Sequence, residues 1–170
     1  VGKLYQLQGD LARAEPLLQR GLTLREAALG PDHPDVAASI TSLAIVYSVQ
    51  GWFDRAEPLF LRALRIREAA LGPNHPDIGT ALNNLAVFYS MQGMHDRIEP
   101  LYLRALSIWE AALGPNHPDI GTALNNLANL YQQQGLYGRA EPLYQRTIAL
   151  REAALGENHP SVASALHNLA

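Results

Sequence analysis

Apolar residues in this chain recur three and four positions apart, the period of a helix and not of a strand. In the stretch 77–91, Ile78, Leu82, Leu85, Ala86 and Tyr89 stand at i, i+4, i+7, i+8 and i+11 and so share one face. Gln92 and Gly93 break that run. A second amphipathic run starts near Asp96 and continues to Leu113, with Pro100 about four residues in, where a missing N–H does least harm. Upstream, Gly72 and Pro73 end the preceding helix, as a left-handed cap followed by a residue that cannot continue it. His75, Pro76 and Asp77 open the next, the proline suiting a first turn and the carboxylate the N-terminal end of the helix dipole. The pattern predicts a hairpin of two helices, with small Ala63 and Ala105 where the second helix crosses close to its neighbours.

The hairpin recurs. His33, His75, His117 and His159 are spaced by 42 residues, and each precedes a proline. Gly30, Gly72, Gly114 and Gly156 keep the same step, as do Tyr5, Tyr47, Tyr89 and Tyr131, and Gly9, Gly51, Gly93 and Gly135. Gly72 to Ala86 and Gly114 to Ala128 are identical in sequence. The chain divides into a partial repeat at 1–29, full repeats at 30–71, 72–113 and 114–155, and a partial repeat at 156–170, all in one array. No single hairpin can bury its apolar face alone, so neighbours must stack and share a continuous core. The expected fold is therefore all-α, a solenoid of antiparallel helix pairs. Because the sequence starts and stops inside equivalent helices, it reads as part of a longer array.

Composition narrows the function. Hydrophobic residues at 48% and charged residues at 17% fit a globular chain. The formal net charge of -3 has the wrong sign for binding by phosphate neutralisation, so no nucleic-acid partner is expected. There are no cysteines, which rules out disulfides, thiolate metal sites and a cysteine nucleophile. No run approaches the roughly 18 apolar residues of a membrane span, so a cytoplasmic setting away from membranes is expected. No glycine-rich phosphate loop or nucleophile-elbow serine is present. No cofactor and no catalytic residue is expected.

The repeat resembles the tetratricopeptide repeat at Ile40, Leu43, Ala44, Tyr47, Ala56, Phe60 and Ala63. The usual unit has 34 residues; this one is eight longer, through Arg-Glu-Ala-Ala-Leu and then Gly-Pro-Asn-His-Pro-Asp. With Asn-Asn-Leu-Ala in the first helix and Ala-Glu-Pro-Leu-Tyr in the second, it is similar to the kinesin light chain subfamily and its bacterial relatives. The resemblance implies a right-handed superhelix that binds protein or peptide partners in its concave groove. It also implies a row of groove residues: Asn84, Asn126 and Asn168, with Arg25, Arg67 and Arg151. Ile98 departs from the pattern at an alanine position, Gly21 and Thr147 replace the small alanine of the second helix, and Trp109 stands where the arginines stand. Trp109 either stacks on a ligand side chain or packs between repeats.

Helical geometry gives the binding stripe independently. Opposite the buried face of 77–91 lie Thr80, Asn84, Val87 and Met91. The equivalent stripes are Ala38, Ser42, Ile45 and Val49, then Thr122, Asn126, Asn129 and Gln133, continued by Ser164 and Asn168. They run from apolar to amide. Asparagine both donates and accepts, so it can hold a peptide backbone of any sequence. A peptide with apolar side chains near Ile45, Val49, Val87 and Met91, and with its backbone on Asn84, Asn126 and Asn129, fits this gradient. Arginine forks suit carboxylates, so acidic residues near an aromatic anchor are the expected ligand signature.

Other recurring residues have plainer readings. The histidines lie a hairpin apart, on the order of 10 Å or more, too far to share a zinc ion, so they read as helix caps. Asn83 and Asn125 lie to one side of the stripe, nearer the neighbouring helix, and suit bonds to a neighbouring backbone that fix the stacking geometry. Tyr47, Tyr89 and Tyr131 read as core, and Glu57, Glu99 and Glu141 as helix-dipole partners. The alternative function is structural: Val1 aligns with Leu169 and Gly2 with Ala170, so incomplete ends could stack end to end as a self-association module.

Overall fold

The proline after each histidine sets where the first helix of every hairpin begins. The computed structural model describes residues 11–169. Among them run eight helices: α1 Leu11–Leu29, α2 Pro34–Val49, α3 Phe53–Leu71, α4 Pro76–Met91, α5 His95–Leu113, α6 Pro118–Gln133, α7 Tyr137–Leu155 and α8 Pro160–Leu169. The 42-residue step of the sequence is thus the step of the helices. Tyr5 and Gly9, the first members of their series, lie outside the described residues, as do Val1, Gly2 and Ala170. No described helix is long and apolar enough to cross a membrane.

Histidine does the capping that Ser or Asp usually does. Nδ1 of His33, His75, His117 and His159 accepts the backbone N–H two residues on, at 3.2, 3.2, 3.3 and 3.1 Å. An accepting Nδ1 places the neutral ring's proton on Nε2. The other end of these helices is closed by glycine. Gly51, Gly93 and Gly135 have φ of 77°, 69° and 73°, and the N–H of Trp52, Met94 and Leu136 reaches back to the carbonyls of Tyr47, Tyr89 and Tyr131. This is the six-to-one closure of a left-handed helix end, completed by an apolar residue after the glycine. In the first of these turns the apolar contact is aromatic, with the Tyr47 and Trp52 rings 5.6 Å apart.

The second helix of each hairpin starts earlier than the sequence suggests. α5 begins at His95, so Pro100 is its sixth residue and lies beyond the first-turn N–H groups that need no partner. Pro58 and Pro142 hold the same place in α3 and α7. Each therefore forfeits one ladder bond, to the carbonyl four residues back, in helices long enough at 19 residues to tolerate it.

The chain forms two compact units, Val1–Phe88 and Tyr89–Ala170. In the first, Ile40, Leu43, Ala44 and Tyr47 of α2 are buried with Ala56, Phe60, Ala63 and Ile66 of α3. Phe88 of α4 joins them, with its ring 5.2 Å from Phe60 and 6.0 Å from Phe53. In the second, Ile120, Leu124, Leu127 and Tyr131 of α6 are buried with Ala140, Tyr144 and Ile148 of α7. The predicted face of α4, from Ile78 through Leu82, Leu85 and Ala86 to Tyr89, is buried throughout.

A polar clasp marks each hairpin. Arg55, Arg97 and Arg139 donate to the phenol oxygens of Tyr47, Tyr89 and Tyr131, at 2.6, 3.1 and 2.6 Å. In the second unit Glu99 closes the set, accepting from Tyr131 at 2.9 Å and from Arg139 at 2.6 Å. The Arg139 bond, chiefly, holds the Glu99 carboxyl below its usual range. Glu99 therefore does more than favour a helix dipole.

Candidate functional site

Burial of one face of each first helix leaves the opposite face open. On α2, Ala38 and Val49 are exposed and Ser42 and Ile45 half-buried. On α4, Thr80, Val87 and Met91 are exposed and Asn84 half-buried. On α6, Thr122 and Gln133 are exposed and Asn126 and Asn129 half-buried; on α8, Ser164 is exposed and Asn168 half-buried. Two hydroxyls on these faces are spent on their own helix, Ser42 on the Ala38 carbonyl and Ser164 on that of Pro160, each at 3.1 Å.

The arginines stand where second helices meet first helices. In the first unit Arg25 donates to the Ser39 hydroxyl, which donates in turn to the Asp35 carbonyl. Arg67 Nη1 donates to Thr41 Oγ1 at 3.1 Å, and Thr41 to the Ala37 carbonyl at 2.9 Å. Burial draws the Arg67 guanidinium below its usual range, and the nearby Asp77 charge opposes this. In the second unit Arg151 Nη1 donates to the Ser161 carbonyl at 2.8 Å. Among the described residues each arginine is thus oriented by one hydrogen bond, and a guanidinium fork suits an anion.

Of the two readings of Trp109, burial supports packing over ligand stacking. Trp109 is 3% exposed, so it offers no face to a ligand and belongs to the core of the second unit. An arginine at this position lays its aliphatic stem on the packed surface and keeps its charged head at the rim. An indole has no such head, and it turns inward.

Three predicted residues come together in the second unit. Thr122 of α6, Arg151 of α7 and Ser164 of α8 line a cleft of about 380 Å³, floored by Pro118, Gly121, Leu150, Ala154 and Leu155 and closed by Ser161. The cleft pairs an oriented guanidinium with an apolar lining, a combination suited to a carboxylate beside an aliphatic group. Leu150 and Ser161 were missed by the sequence reading, because they lie off the stripe and enter only when α7 and α8 are packed.

Most of the amides in the second unit are tied to neighbours. Asn125 Oδ1 accepts from Asn168 Nδ2 at 3.1 Å, a side-chain partner rather than the backbone. The counterpart atom Asn83 Oδ1 is buried with no hydrogen-bond partner among the described residues. Tyr144 hydrogen-bonds Asn129 and Gln132, and Tyr102 bonds Asn126. Among the described residues no group of three or more His, Asp or Glu is placed to hold a metal ion.

A tetratricopeptide repeat model matches the chain at residues 1–69, 41–102, 77–153 and 119–170, which together span it. The chain belongs to the tetratricopeptide repeat family. Among solved structures, this tetratricopeptide chain is similar to BtubC (BKLC) from P. vanneervenii, with 27% identity and a TM-score of 0.85 over 99% of this chain and 67% of that one. It is also similar to a protein of kinesin light chain type with nearly identical TPR-like repeats from Podosopora anserina. Two structures of that protein match at 25% and 26% identity, each with a TM-score of 0.82 over 99% of this chain and 79% or 80% of theirs. No curated protein sequence matches. The neighbours of this tetratricopeptide chain are thus kinesin light chain-like, one of them bacterial, as its 42-residue unit leads one to expect. Tetratricopeptide repeats generally mediate protein–protein interaction.

Proposed function

We propose that this chain is a non-catalytic scaffold that holds a peptide segment of a partner protein along the exposed faces of its first helices. The cleft between α6, α7 and α8 carries this reading, because stripe residues Thr122 and Ser164 meet Arg151 there over an apolar floor. An acidic side chain or terminal carboxylate of the segment takes Arg151. Apolar side chains take the Ile45, Val49, Val87 and Met91 positions, with Val49 59% exposed. Amides at Asn84 and Asn126 hold the backbone. The test is a short-peptide display selection on the wild-type chain, with affinities then measured for Asn84→Ala/Asn126→Ala and for Arg151→Ala. A shared acidic motif that both variants bind at least tenfold more weakly is the expected result. A motif bound equally by all three proteins sinks the reading.

A further inference from the structure

Tyr144 Oη lies 2.6 Å from Asn129 Oδ1 and 2.8 Å from Gln132 Oε1. A phenol has one hydrogen and cannot donate to both. Asn129 is half-buried and has the shorter contact, whereas Gln132 is exposed, so the proton is placed on the contact to Asn129. The exposed Gln132 amide, whose oxygen and nitrogen exchange by a flip, turns its NH₂ towards the phenol oxygen instead. Tyr144 is 2% exposed, so packing of the ring fixes where its hydroxyl sits. Asn129 is half-buried on the stripe of α6, with its oxygen answered from within. Its NH₂ is the half left for whatever lies on the stripe.

The repeats supply an internal comparison. Asn129 stands where Ile45 and Val87 stand, and Tyr144 where Phe60 and Tyr102 stand. Where the stripe residue is Ile45, the buried ring is Phe60, with no hydroxyl to give. Where it is Val87, the Tyr102 hydroxyl bonds Asn126 instead. At this position both phenols, Tyr102 and Tyr144, bond an amide.

We infer that Tyr144 is a positioning residue that locks Asn129 as a hydrogen-bond donor, so that this part of the stripe reads acceptors, above all the main-chain carbonyls of an extended segment. Arg151 reads acceptors as well, and Thr122, which lines the same cleft, lies about 10 Å along α6 from Asn129. A segment engaging both ends therefore places a carbonyl at Asn129 and a carboxylate at Arg151. The ligand half of this inference rests on the peptide-binding reading, and the orientation of Asn129 does not.

The test uses Tyr144→Phe, Asn129→Ala and Asn129→Asp in the whole chain, with the peptide recovered by display on the wild type as probe. Asn129→Asp keeps the shape and the acceptor for Tyr144 but deletes the outward donor. Each variant should weaken the probe by about threefold to tenfold, the worth of one hydrogen bond. Tyr144→Phe combined with Asn129→Ala should weaken it no further than Asn129→Ala alone. In the unliganded protein, the Asn129 side-chain amide resonances should move in Tyr144→Phe. Resonances that stay put while only the melting temperature falls would mean that Tyr144 packs and nothing more, which overturns the inference. So would an Asn129→Asp variant that binds as well as wild type. If no peptide is enriched, the peptide-binding reading fails, and the amide resonances alone then decide whether Tyr144 orients Asn129.

Discussion

Tyr102 shows what one buried hydroxyl does to the pH dependence of a fold. Burial pushes its phenol up to about 12 from an ordinary 10.0, against the pull of its bond to Asn126. The native chain keeps this proton where the unfolded chain has begun to lose it. The stabilisation is therefore whole below pH 10 and is lost as pH rises towards 12. A shift of this size corresponds to about 3 kcal/mol at most. Urea unfolding followed from neutral to alkaline pH should show a shallower alkaline loss in Tyr102→Phe than in wild type. Equal slopes would show that this phenol does not set the alkaline limit. Residue-scale facts of this kind were partly legible in the sequence. The period placed Tyr47, Tyr89 and Tyr131 in the core and the histidines at helix starts, because those roles follow from position along a helix. It left Trp109 undecided, because an arginine and an indole at one position obey the same period but part ways at the water boundary. The Tyr144–Asn129 bond was invisible, since it depends on the angle between two helices that no spacing encodes.

Helices α3 and α5 carry an aspartate in the first turn, Asp54 and Asp96, and α7 carries Gly138 there instead. Nothing lies within 4 Å of a Cβ added at Gly138. Gly138→Asp should restore both helix propensity and a charge at the positive end of the dipole, worth about 1 kcal/mol together. Equilibrium urea denaturation should show a raised midpoint at an unchanged slope, and a lowered midpoint would show that the glycine is needed. The elements themselves are the most legible part of the chain, because a glycine punctuates every joint and His-Pro opens every first helix from α2 on. Only the starts of the second helices were misplaced. The N-cap residues Trp52, Met94 and Leu136 make no side-chain cap bond, and α5 is instead entered from the backbone of Met94. A start made by backbone alone leaves no mark in the sequence.

For the molecule as a whole, the family was legible because one signal is repeated four times, and the occupant of the stripe was not, because the stripe changes from repeat to repeat. Wherever the period is conserved it describes packing, and wherever it lapses, as at Ile45, Val87 and Asn129, the chain is free to be specific. The joints themselves do not lapse. Leu71-Gly72-Pro73 and Leu113-Gly114-Pro115 are the same junction, and Ile120, Leu124 and Leu127 repeat Ile78, Leu82 and Leu85. Removing residues 72–113 joins Leu71 to Gly114 and presents α3 with a partner of the same kind. That deletion should leave helical content per residue unchanged and thermal unfolding cooperative, at a lower midpoint because nearest-neighbour interfaces are fewer. A chain that loses cooperativity would show that the repeats are not interchangeable. If they are, a gene that miscopies itself in steps of this length alters the reach of its product without passing through a misfolded ancestor.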